Sequence, residues 1–278
     1  MRKLLIITTA LSVLAGAPVF SHASPESDRK AFQDYFMKRF PNTPFEDFIN
    51  GVYAVDKASR EQWESIEEFP PYEIAIEEGK DLFEKAFKNG KTYASCFPNK
   101  GIGVEGNYPY YDPKRGEVIT LPLAINECRV KNGEKPLPYK KGKLASILAY
   151  MAFTTRGKKI DIKVPNDPGA LKAYEDGKHF YYARRGQLNM ACAHCHVDNS
   201  GNRIRADILS PGLGHTSHFP VYRSKWGELG TLHRRFDGCN KQVRAKPFKA
   251  QSKEYRDLEY FLTYMSNGLT WNGPGARK

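Results

Sequence analysis

Beyond its first 23 residues the chain has no apolar run approaching the roughly 18 to 20 uninterrupted residues that a bilayer span needs, so no membrane span is expected in the mature protein. Acids are scarce. There are 31 Asp plus Glu against 43 Lys plus Arg, a formal charge of +12. The cations are scattered, as at Lys131, Lys135, Lys140, Lys141 and Lys143, and no aromatic stacking platforms interleave with them. That excludes nucleic acid as the expected partner and leaves an acidic protein or a small anion. The composition, with 23 Gly and 18 Pro, also excludes a long coiled coil or a collagen-like fibre. Cysteine is sparse and odd in number, at five.

What is present suits a globular protein. The 278 residues are 40% hydrophobic and 13% aromatic, enough for one large or two small domains and too apolar for disorder. Residues 1–23 carry Arg2 and Lys3 before an apolar run from Leu4 to Leu14, with small residues at Ser21 and Ala23. This pattern predicts a secretory signal peptide cut after Ala23, and hence a periplasmic location. Loss of Arg2 and Lys3 leaves a mature charge of +10.

In an oxidising compartment an odd cysteine count means that at least one sulfur does something other than pair. Cys192, Ala193, His194, Cys195 and His196 form C-x-x-C-H, the attachment signal for one covalent haem c. Cys192 and Cys195 would add to the haem vinyl groups, and His196 would be the proximal iron ligand. For the distal ligand the chain offers Met190, which is too close to Cys192 to reach the other face, Met265, whose i, i+4, i+7 spacing with Leu258 and Leu262 suits core packing, and Cys239. A thiolate from Cys239 would lower the reduction potential.

The chain also repeats itself. Cys128, Pro136, Ile147, Tyr150, Phe153 and Gly157 align without a gap with Cys239, Pro247, Leu258, Phe261, Tyr264 and Gly268, 111 residues apart in every pair. Upstream, Glu78, Gly79 and Lys80 match Asp176, Gly177 and Lys178. The expected fold is mainly α, with two tandem cytochrome c-like lobes: a helical extension over 24–69, a haem-less lobe over 70–160 and a haem-binding lobe over 161–278. Cys96 matches Cys192, but Asn99 and Lys100 stand where the second lobe has Cys195 and His196, so the first lobe is expected to carry no haem. Cys96 and Cys128 then flank a vacated pocket and are expected to form a disulfide closing about 32 residues, worth roughly 4 kcal/mol on the chain-entropy model.

Smaller expectations concern single segments. Ser27 is expected to open a helix through Ala31, Phe32, Tyr35 and Phe36 that packs on the first lobe. Segments 107–123 and 208–226 are expected to be long ordered loops. His233, His215 and His218 read as packing or surface residues, with a metal near His233 left open. Cys239 lies in HRRFDGCNKQVRAKP, where cations favour a thiolate, guanidiniums offer an anion site and Gly238 permits close backbone approach. Arg234, Arg244 and the lysines there could equally be solvated surface charges. Arg235 sits one helical turn before Cys239.

The erased first module, CAHCH in the second and RRFDGC around Cys239 together resemble the SoxA family of thiosulfate-oxidising cytochromes, in its monohaem form, over nearly the whole mature chain. The resemblance implies axial ligation by His196 and Cys239, substrate binding by Arg235, and Cys239 as the active-site residue, commonly a persulfide in that family. It implies oxidative conjugation of thiosulfate to a cysteine of a SoxYZ carrier protein. A SoxX-type monohaem cytochrome c subunit is the implied partner, and a downstream cytochrome the implied electron acceptor. The rival expectation is a plain electron-transfer cytochrome c with a cysteine-ligated haem.

Overall fold

The computed structural model describes residues 24–278, so the signal peptide expected over 1–23 lies outside the described residues. Helix α1 (Pro25–Arg39) starts two residues before Ser27, because Pro25 presets the first helical φ and the Ser24 hydroxyl accepts from Ser27 N at 3.2 Å. Its buried face, Phe32 and Phe36, covers the second lobe rather than the first. Phe32 lies edge-on to Tyr181 at 6.3 Å, and Gln33 Nε2 donates to the carbonyls of Met265 and Asn267, which are otherwise free at a helix C-terminus.

After a kinked 3₁₀ segment (Phe45–Ala54) come α2 (Lys57–Glu67) and α3 (Glu73–Glu84). The first lobe continues through short 3₁₀ turns, β1 (Tyr110–Asp112), β2 (Glu117–Ile119), α4 (Leu121–Lys131) and α5 (Lys143–Phe153). The second contains α6 (Pro168–Tyr182), a π-turn (His194–Asp198), the small hairpin β3 (Arg203–Ile204) and β4 (Asp207–Ile208), then β5 (Val221–Arg223), β6 (Glu228–Gly230), α7 (Leu232–Gln242), α8 (Lys253–Met265) and β7 (Gly275–Arg277). The segments expected to be loops are therefore partly paired. β1 and β2 form an antiparallel hairpin closed by Gly116 at φ 69°, and β5 and β6 form its counterpart, closed by Gly227 at φ 64°. The missed strands are three residues each, too short for a period-2 signal to emerge.

The 111-residue repeat is carried by the backbone itself. β1, β2 and α4 recur as β5, β6 and α7 with the same bounds 111 residues later, and α5 recurs as α8 to within one residue at either end. The fold is mainly α, with two tandem cytochrome c-like lobes. One core gathers Phe83, Tyr93, Leu121, Ile125, Leu144 and Ile147; the other gathers Phe36, Tyr174, Tyr181, Tyr255, Phe261 and Met265. Met265 is thus a core residue, as its spacing suggests. A third cluster, with Ala145 and Ala149 of α5 against Leu229 and Ala276, joins α5 to the sheet of β6, β5 and β7.

In the first lobe Cys96 and Cys128 are joined by a disulfide, with Cα atoms 5.9 Å apart. Asn132 Nδ2 donates to the Cys128 carbonyl at 2.8 Å, beside both sulfurs. Asn99 and Lys100, at the positions matching Cys195 and His196, adopt left-handed φ values of 49° and 51°. The helical turn that would present a second thiol and an imidazole is absent there.

Candidate active site

Helix α7 presents Arg235 and Cys239 one turn apart, while the turn after α6 presents Cys192, Cys195 and His196. Tertiary folding brings these two stretches together. The Cys192 thiol is pushed up to about 12, first by burial and then by the nearby Cys239. Cys195 is raised by burial and by Cys239, with Arg235 acting in the opposite direction. Cys192, Cys195 and Cys239 are all free, in contrast to the bonded pair of the first lobe.

His196 is held in one tautomer. Its Nδ1 lies 2.9 Å from the Ser210 carbonyl, an acceptor only, so Nδ1 carries the proton and Nε2 keeps its lone pair. Burial drives the imidazole pKa down to about 4, and Arg235 pushes in the same direction. The ring of His215 lies edge-on to His196 at a centroid distance of 4.3 Å, and His215 Nε2 is 2.9 Å from Ser210 Oγ. Ser210 and His215 thus brace His196 from behind. His215 was legible only as one histidine of GLGHTSHFP, and nothing in that spacing points to His196.

These residues suit a covalent haem c. An imidazole nitrogen is free for iron, two thiols stand three residues apart, and two buried polar atoms near Cys192, Tyr181 Oη and Arg185 Nη1, lack a partner. A Cβ at Gly238 would meet no protein atom within 4 Å, so close approach of another protein segment is not what calls for glycine there.

The other groups near Cys239 are engaged in structure. Arg234 stacks over Trp226 at 4.3 Å and pairs with Glu228, Asp237 holds Lys140 and Lys241, and Arg244 is exposed at φ 56°. His233 is buried on α7, accepting from Gln251 N at its Nδ1 and lying 2.9 Å from Glu259 through Nε2. It borders an inter-lobe cavity of about 50 Å³ with Glu105, Thr216, Glu259 and Trp271. Glu105 is raised well above the usual carboxylic range by burial, with Glu259 adding to it. Among the described residues no group of three or more His, Cys, Asp or Glu is arranged to hold a metal ion, and no helix is long and apolar enough to cross a membrane.

The SoxA/TsdA cytochrome c domain family matches residues 78–160 and 176–271. The chain belongs to that family. A relative from Allochromatium vinosum, an L-cysteine S-thiosulfotransferase subunit SoxA, is 58% identical over 97% of this chain and 97% of its own length. A protein of the same name from Chlorobaculum thiosulfatiphilum is 58% identical over 99% and 96%. Among solved structures, SoxXA from P. pantotrophus superposes with a TM-score of 0.72 at 31% identity, covering 81% of this chain and 86% of that one. The two matched stretches of this SoxA-family chain begin close to Gly79 and Gly177, the glycines at which the first helix of each repeat meets its last.

Proposed function

We propose that this chain is the exported L-cysteine S-thiosulfotransferase subunit of a SoxXA-type complex, joining thiosulfate to a cysteine of a SoxYZ carrier. The supporting observation is the convergence of a free Cys239, with Arg235 one turn before it, on the thiols of the CAHCH turn. Cys192 and Cys195 would hold one haem c covalently, and His196 and Cys239 would ligate its iron. Arg235 would bind the sulfonate end of thiosulfate through its planar fork.

When bound, haem supplies an acceptor for electrons, one at a time, so a second haem on a SoxX-type partner is useful. The chain's own residues do the rest. Arg235 orients the dianion with its sulfane sulfur toward Cys239, and bond formation between the two sulfurs releases two electrons. The carrier thiolate then attacks the sulfane sulfur, and the Cys239 thiolate leaves. The carrier thiol proton goes to solvent, and the balance is one new S–S bond, two electrons and one proton.

The test is steady-state turnover of thiosulfate with carrier protein and partner cytochrome. Cys239→Ala should abolish conjugation while leaving covalent haem in place, and undiminished activity would sink the assignment. Electron acceptance without conjugation by the wild-type complex would leave a plain electron carrier.

A further inference from the structure

The two lobes carry the same hairpin and helix, so each position near Cys239 has a counterpart in a lobe with no such site. Cys239 of α7 corresponds to the disulfide-bonded Cys128 of α4. Arg235 corresponds to Ala124, and Arg223, the last residue of β5, corresponds to Asp112, the last of β1. The shared scaffold therefore requires arginine at neither position. Both arginines occur only in the lobe that has a free cysteine.

Arg223 is placed oddly for a structural cation. Its Nε is buried without a hydrogen-bond partner, and its guanidinium lies over the Trp226 ring at 5.6 Å. Its cross-strand neighbours are Glu228 on β6 and Arg277 on β7. Glu228 is committed to Lys141 and Arg234, Asp237 to Lys140 and Lys241, and Arg277 stacks on Tyr53 at 5.0 Å. Arg223 nevertheless lies within electrostatic reach of both Arg235 and Cys239. Burial pulls its pKa down to about 10 and Arg235 pulls the same way, while Cys239 opposes them. A partly buried guanidinium whose Nε has no partner, set over the same Trp226 ring as Arg234 of α7, is costly unless an anion completes the site.

We infer that Arg223 and Arg235 together form a two-guanidinium clamp for the substrate dianion, with Arg223 a second substrate-binding residue contributed by the sheet. The inference rests on the thiosulfate reading above and adds to it the residue that neutralises the second charge. Two forks from different elements also define an orientation, which one fork on one helix does not.

The experiment uses the haem-loaded chain with its partner cytochrome. Thiosulfate binding is measured by calorimetry on the fully reduced complex, which cannot accept electrons, and KM and kcat are measured with carrier. Arg223→Gln is expected to weaken thiosulfate binding and raise its KM roughly ten- to a hundredfold, with a smaller change in kcat. Arg223→Lys should recover part of the loss, since it restores charge without the fork. The hairpin is expected to tolerate both changes, because its counterpart carries Asp112; haem absorbance and melting check this. Lys163→Gln, which removes an exposed cation paired with Asp161, controls for net charge and should change neither value. Wild-type turnover with an Arg223→Gln affinity within about twofold of wild type would overturn the clamp and leave the thiosulfate assignment standing. No thiosulfate binding by the wild-type complex would overturn both.

Discussion

Gly177 of α6 lies directly against Asp257 of α8: a Cβ at Gly177 would sit 2.1 Å from the Asp257 carbonyl oxygen and 2.9 Å from the Phe261 Cβ. Gly79 of α3 meets α5 in the same way, 1.9 Å from the Ser146 carbonyl oxygen and 3.1 Å from the Tyr150 Cβ. Ser146 and Tyr150 stand 111 residues before Asp257 and Phe261, so the two lobes share one helix crossing down to the carbonyl that receives it.

Alanine at either glycine would push backbone against backbone, which no rotamer change relieves. Gly177→Ala and Gly79→Ala are each expected to destabilise by at least about 2 kcal/mol, measured by denaturant unfolding. A loss below about 0.5 kcal/mol would mean that the helices separate freely at the crossing.

The Cys96–Cys128 disulfide closes a separation of 32 residues. Replacing both by Ala should cost about 4 kcal/mol on the chain-entropy model. Haem content should stay unchanged, because neither cysteine belongs to the CAHCH lobe. Haem loss in the double variant would show that the first lobe supports the second during maturation.

Intact mass of the haem-loaded protein should show one covalent haem, mapping to the peptide with Cys192 and Cys195. A haem on the first lobe would contradict the left-handed backbone at Asn99 and Lys100. Peptide mapping across Cys239 also reports whether that sulfur carries a further sulfur atom.

Glu105 gives a pH dependence of defined sign. Its folded pKa is raised above 4.5 by burial, with Glu259 beside it, so the native state binds a proton that the unfolded chain releases. Its contribution is fully present below 4.5 and is lost as pH rises toward the folded pKa. Glu105→Gln should flatten this decline and stabilise the protein by about 1 kcal/mol at neutral pH, read from melting temperatures across pH. An unchanged pH slope would mean that Glu105 is ionised in the folded protein.

Much of this was legible in the chain because it was local or repeated. CAHCH points to its chemistry within five residues, the gapless 111-residue offset revealed two lobes, and the match of Cys96 to Cys192, together with that offset's pairing of Cys128 with Cys239, paired Cys96 with Cys128. The packing side of α1 was not legible, since the spacing of Phe32 and Phe36 marks a buried face without saying which core receives it. The short hairpins escaped because three-residue strands have no readable period. His215, Ser210 and Arg223 escaped for another reason: their partners are distant in sequence or belong to turns, and no spacing rule links them to His196 or Cys239.

The sequence by itself determined the chemical inventory: two thiols three residues apart with a histidine after the second, a further cysteine with an arginine a turn before it, and a first lobe with Asn99 and Lys100 in place of the second thiol and the histidine. Only the tertiary structure decided their arrangement. It chose the tautomer of His196 through the Ser210 carbonyl, brought Cys239 of α7 near the thiols of the CAHCH turn, and placed Arg223 of the sheet within electrostatic reach of Cys239. The physical reason is that side-chain chemistry is a property of each residue, whereas desolvation, charge proximity and hydrogen-bond direction exist only once distant segments are packed together.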